Sequence, residues 1–160
     1  GEKPREFSIS LRVPDWMEGE GKLSVNDVSL EFEVSSRGFC TITRTWHQDT
    51  IRFDMPKKLT VCEIPDEPDT VAFLHGPVVL AGLAETETAL YGGKDDPSGM
   101  LVPDNERQWA EWLKGYRTVG QPVSIRFRPL YEIVDEKYSV YFPLLARPPY
   151  VTEKAGHIDE

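Results

Sequence analysis

Residues 7–13 read Phe-Ser-Ile-Ser-Leu-Arg-Val, apolar at every odd position and polar at every even one. A period of two is the signature of a strand with one dry and one wet face, and it excludes an amphipathic helix over the same residues. The pattern returns over Val28–Val34, which follows a short Leu23-Ser24-Val25 strand and an Asn26-Asp27 turn. Ser35-Ser36-Arg37-Gly38 predicts a reversal into a strand over Phe39–Trp46. His47-Gln48-Asp49 predicts another into Ile51–Met55, so that 39–46 and 50–55 form a hairpin. Leu59–Ile64, Thr70–Leu74 and Val123–Phe127 read as further strands. Pro77-Val78-Val79-Leu80-Ala81 lacks alternation and reads as a strand buried on both faces. A closing hairpin is expected between Leu130–Val134 and Tyr138–Phe142 across Asp135-Glu136.

About nine short strands without a βαβ rhythm predict a mainly β chain, an antiparallel β-sandwich of jelly-roll or immunoglobulin-like kind with one short helix. The expected organisation is one sandwich domain over 1–147 with a long loop at 85–103, a helix at 104–114 and a polar tail at 148–160. The helix is read from Asp104 as N-cap, Gly115 as stop, and Trp109, Trp112 and Leu113 at helical spacing. Phe7, Ile9, Leu11, Leu30, Phe32, Ile51, Phe53, Ile125 and Phe127 are expected to face inward.

Composition narrows the function classes. The 160 residues carry 18 Lys+Arg and 27 Asp+Glu, a formal charge of −9. Nine basic and fourteen acidic residues lie in 1–80, nine and thirteen in 81–160, so neither half is a basic arm or an acidic tail. An anionic chain of this kind is a poor nucleic-acid ligand, and no apolar run approaches the roughly 18 residues of a membrane-spanning helix. The partner expectations are therefore no nucleic acid and no membrane. The chain begins with Gly1 rather than Met, which reads as a scar on a piece of a longer protein.

No catalytic constellation emerges from spacing. His47, His75 and His157 are far apart, and none has a second ligand at metal spacing. Cys40 and Cys62 are too few for a disulfide framework and read as free thiols, with the buried thiol the favoured state. The adjacent pairs Asp95-Asp96, Asp135-Glu136 and Asp66-Glu67 sit in turns and point apart, whereas glycosidic carboxylates must face each other across a sugar. Aromatic residues are the better candidates. Trp16, Trp46, Trp109, Trp112, Tyr91 and Tyr141 offer flat surfaces for the C–H faces of sugars, or anchors for an interface. Trp16, Trp109 and Trp112 lie outside the alternating strands, and they are the candidate interface or sugar-contact residues. No catalytic, cofactor or metal residue is assigned.

Several segments, in order, resemble one bacterial family. Leu11-Arg12-Val13-Pro14-Asp15-Trp16 is similar to its Leu-Arg-Ile-Pro-x-Trp, and Val25-Asn26 to its Val-Asn-Gly. Gly38-Phe39 with Ile42, Arg44 and Trp46 is similar to Gly-Tyr-x-x-Ile-x-Arg-x-Trp, and Asp49, Ile51, Phe53, Met55 and Pro56 follow its next strand. The stretch from Val71 to Gly82 resembles its Gly-Pro-Leu-Val region; the likeness ends near Phe127–Glu132 and Tyr138–Phe142. The family is glycoside hydrolase family 127, the β-L-arabinofuranosidase-like proteins once called domain of unknown function 1680, and the similar part is its C-terminal β-sandwich region. Asp27 and Gln48 depart from it, standing where that family usually has glycine.

The resemblance implies an accessory sandwich, with catalysis in a separate (α/α)6 barrel of the same parent chain. There a zinc-bound cysteine and a glutamate act on an arabinofuranoside. No cofactor is expected in this chain, zinc being implied only for the parent's catalytic domain, and Cys40 and Cys62 match none of its metal ligands. The alternative is a carbohydrate-binding module using surface aromatics. Compartment stays open, since any signal sequence would lie outside these residues.

Overall fold

A computed structural model describes residues 3–104, 107–108, 111–112 and 115–147. The first half holds β1 (Arg5–Arg12), β2 (Lys22–Val25), β3 (Val28–Leu30), β4 (Phe39–Trp46) and β5 (Ile51–Asp54). They form two small antiparallel sheets, β1-β4 and β3-β2-β5. Asn26 and Asp27 both adopt positive φ (51° and 63°), the type I′ geometry that suits a two-residue hairpin between β2 and β3. The hairpin expected between 39–46 and 50–55 does not form. Instead β4 pairs β1 along its whole length, and β5 pairs β2. The 47–49 turn therefore carries the chain from one sheet to the other. Asn26 clasps it there, its Nδ2 donating to Asp49 Oδ1 at 2.6 Å while Thr50 N donates to Asn26 Oδ1 at 2.9 Å.

The second half holds β6 (Leu59–Ile64), β7 (Glu67–His75), β8 (Val78–Gly82), β9 (Leu90–Tyr91), β10 (Leu101–Pro103), β11 (Arg107–Gln108), β12 (Glu111–Trp112), β13 (Tyr116–Thr118), β14 (Arg126–Pro129) and β15 (Tyr141–Leu145). Eight of these make one sheet in the order β10-β13-β14-β8-β7-β15-β9, with β6 on the other edge of β7. Every pairing in it is antiparallel except β15 with β9. β8 sits between β14 and β7, and Leu80, Ala81 and Gly82 are buried, as a strand without alternation should be. The core lies against this sheet, with Val71, Phe73, Leu80, Leu90, Met100, Leu101, Ile125, Phe127 and Phe142 all buried. Phe73, Phe127 and Phe142 meet with ring centroids 5.1–6.4 Å apart. Gly82 permits this closure: a Cβ there would lie 2.5 Å from the Phe142 ring and 2.9 Å from that of Phe127.

Four further expectations change. Where residues 104–114 are described, the expected helix is absent, and β11 and β12 pair as antiparallel strands. A helix of ten residues is marginal in water without tertiary support, and Asp104 is not free to cap one. Its backbone N–H donates to Gly115 O, and its carboxylate pairs with Arg126 at 3.3 Å. The closing hairpin is also absent: Leu130–Glu132 is a 3₁₀ turn, and β15 pairs β7 instead. Within the 85–103 loop, β9, β10 and a Pro97–Gly99 3₁₀ turn capped by Asp96 add local order. Phe7, expected inward, is 48% exposed, whereas Ile125 and Phe127 are buried as expected. The 148–160 tail lies outside the described residues.

Candidate functional site

Of the three tryptophans singled out, Trp16 is half-buried at the junction of the two halves. Its carbonyl accepts from Lys58 N at 3.2 Å, next to the Glu18 N to Pro56 O bond of 2.8 Å. Trp109 lies outside the described residues, and Trp112 is described only as a backbone partner of Arg107 in the β11–β12 ribbon. Trp46 is not available to a ligand. It is buried, its Nε1 donates to Phe7 O at 2.9 Å, and the Arg44 guanidinium lies 5.3 Å from its ring centre. Among the described residues the exposed aromatics are instead Phe7, Phe39, Tyr131 (73% exposed), Tyr138 and Tyr141, with Val134 close to the last three in sequence. Alternation had assigned Tyr131 and Tyr138 to a hairpin. No sequence signal marks the 3₁₀ turn that exposes Tyr131.

Two clefts flank the chain where it leaves β3. One, of about 590 Å³, is bounded by residues 31–35 on one side and by Phe39, Thr41, Ile42 and Thr43 of β4 on the other. A second, of about 670 Å³, opens on the far side of Leu30–Phe32. On β1 and β4 the Ser8–Thr43 and Ser10–Thr41 hydroxyl pairs, 2.7 and 2.9 Å apart, make a polar sheet face.

A smaller cavity of about 320 Å³ lies at the junction, lined among others by Glu18, Lys57, Lys58 and Tyr116. The His75 ring meets Tyr116 edge-on at 5.4 Å. Burial, aided by the Lys57 charge, holds His75 below the ordinary histidine value; burial, aided by Glu18, pushes the Tyr116 hydroxyl up. Both shifts favour the neutral side chain, which suits packing rather than proton transfer.

The acidic pairs serve local structure. Glu136 accepts from Val134 N, Asp135 N and Arg128, and these bonds, Val134's first, lower its pKa. Asp49 is lowered by the His47 N–H and then by Asn26. Cys40 is a buried free thiol, whereas Cys62, on a different sheet, is free but exposed because its side of edge strand β6 is not covered. Among the described residues no three His, Cys, Asp or Glu side chains are grouped to hold a metal.

Comparison with known proteins gives two findings. Residues 1–57 match the family model described as "Beta-L-arabinofuranosidase, GH127 middle domain". No curated protein matches. Among solved structures, a "Glycoside hydrolase" aligns at a TM-score of 0.60 and 19% identity, over 89% of this chain and 28% of its own. A GH127 β-L-arabinofuranosidase from Geobacillus stearothermophilus aligns at 0.63 and 19%, over 90% and 27%. A further GH127 β-arabinofuranosidase aligns at 0.61 and 16%, over 89% and 28%. At such identities the structural likeness is one of fold, and the chain spans little more than a quarter of those enzymes. Residues 1–57 thus resemble the GH127 middle domain, and the chain as a whole shares the fold of part of these GH127 enzymes.

Proposed function

We propose that the chain is a non-catalytic accessory domain of a β-L-arabinofuranosidase-like glycoside hydrolase, packed on a separate (α/α)6 catalytic barrel of the same parent protein. Coverage carries the reading: 89–90% of this chain aligns with 27–28% of each solved relative, whose remaining residues are available to a catalytic domain. The surface supports it. Phe7, Tyr131 and Val134 are large and exposed, and interdomain contacts within a chain typically bury about 600–1,500 Å². Any zinc and cysteine chemistry then belongs to the barrel.

The test is to produce the rest of the parent protein separately and mix it with this chain. Association in sedimentation velocity, weakened about tenfold or more by Trp16→Ala, is the expected result. The chain alone should leave an aryl arabinofuranoside intact with zinc added. Turnover by the chain alone, abolished by a substitution within it, would overturn the reading.

The exposed Tyr131, Tyr138 and Tyr141 favour a second reading, a carbohydrate-binding module. Titration calorimetry with arabino-oligosaccharides separates the two. Heat that vanishes on replacing these tyrosines with Ala establishes sugar binding, and a flat titration removes it.

A further inference from the structure

Among the described residues β4 is paired on one edge only. β1 fills that edge from Arg5↔Trp46 to Arg12↔Phe39. Alternate residues of an antiparallel strand direct their N–H and C=O groups to opposite edges. Gly38 O accepts from Val13 N on the β1 side, whereas Phe39 O accepts from Ser35 N on the other. Parity therefore assigns the backbone groups of Phe39, Thr41 and Thr43 to the outer edge, which faces the 590 Å³ cleft. Across that cleft runs Glu31–Val34, outside any strand, with no backbone hydrogen bond to another described residue.

We infer that residues 31–34 are a strap that closes onto the outer edge of β4 as an added strand, filling the cleft. The turn that closure needs is already built. Gly38 N donates to Ser35 O at 2.9 Å, Ser35 N to Phe39 O at 2.8 Å, and Phe39 N to Ser35 Oγ at 3.2 Å. Gly38 takes the positive φ of 76° that ends such a turn. Extending the Ser35–Phe39 register sets Val34 opposite Cys40, Glu33 opposite Thr41, Phe32 opposite Ile42 and Glu31 opposite Thr43.

Every one of these pairs agrees in polarity. Cys40 and Ile42 lie on the β4 face that carries Leu11 and Ile9 across the ladder, and Val34 and Phe32 join them. Thr41 and Thr43 lie on the hydroxyl face with Ser10 and Ser8, and Glu33 and Glu31 join those. A register slipped by one residue would put both glutamates on the apolar face. Closure turns a two-stranded ribbon into a three-stranded sheet and covers an open edge. In the open arrangement the Phe32 ring instead lies edge-on to Phe53 of β5, with centroids 5.4 Å apart. Phe32 thus has two packings, on Phe53 or beside Ile42, and the strap moves between them.

The test is nuclear magnetic resonance on the 160-residue chain. Closure brings Phe32 and Ile42 into a non-hydrogen-bonded pair whose α-carbons approach to about 4.5 Å, giving an Hα–Hα Overhauser contact. It also engages the amides of Thr41 and Thr43, which should exchange at least about tenfold more slowly than in a Glu33→Pro variant, where position 33 has no N–H to donate. If that variant fails to fold, the wild-type Phe32–Ile42 contact decides alone. Absence of that contact, or equal exchange of Thr41 and Thr43 in a folded Glu33→Pro chain, would overturn the inference.

Discussion

Phe7 and Phe127 are the same residue type in the two halves of this chain, yet Phe7 is 48% exposed and Phe127 only 1%. Phe7 opens a seven-residue alternating segment, 7–13, and Phe127 closes a five-residue one, 123–127, so alternation marks both alike. The first half spells its strands locally and spreads them over two small sheets, so few side chains reach full burial. The second half uses long-range pairings, such as β15 with β7 and β14 with β8, which surround the phenylalanines on every side. Clear alternation marks a strand with a wet face. Core position depends on what the strand meets.

The largest effect expected from this contrast comes from truncating the two phenylalanines. Phe127→Ala should cost about 3–5 kcal/mol in denaturant unfolding, because it opens a cavity beneath Gly82. Phe7→Ala should cost under about 1 kcal/mol. Comparable losses would break the contrast between the halves. Next, Gly82→Ala should cost about 1–3 kcal/mol by forcing apart the Phe127 and Phe142 rings.

Substitution at Gln48 should act in the opposite direction. Its φ is 55°, so Gln48→Gly should stabilise by up to about 1 kcal/mol, and an unchanged denaturation midpoint would show that the turn carries no strain. The smallest effect concerns pH. His75 has its pKa lowered on folding, so both states are neutral well above about 6.5. As pH falls through that value the unfolded chain takes up a proton first, and stability drops until the folded value is passed. Melting temperatures at pH 7.5 and 5.5 should therefore differ less in His75→Gln than in wild type.

Much of the strand inventory is legible in the sequence. Leu59–Ile64 and Phe39–Trp46 emerge with their predicted bounds, and the Asn26-Asp27 and Ser35–Gly38 turns stand where their residues put them. Pairing partners are far less legible. A turn such as His47–Asp49 reverses the chain equally well into a hairpin or across to another sheet, and the Asn26–Asp49 clasp that selects the second is non-local. The 104–114 segment shows the same limit. Helical spacing of tryptophans is a local signal, and Asp104 is instead committed to Arg126 by the sheet around it. At the candidate site, the sequence singles out Trp16 but not its half-buried position at the junction, and the exposed tyrosines emerge only from the 3₁₀ turn and the β15 register.

By itself the sequence determined that this chain is mainly β, where many of its strands and tight turns fall, and which family its motifs resemble. Alternation, turn chemistry and motif order act over a few residues and need no partner. The tertiary structure alone decided that β4 joins β1, that Gly82 seats the phenylalanine cluster, and that Trp46 is buried while Tyr131 is not. Each of these depends on which distant segment arrives alongside, a choice made by burial and backbone pairing summed over the whole chain.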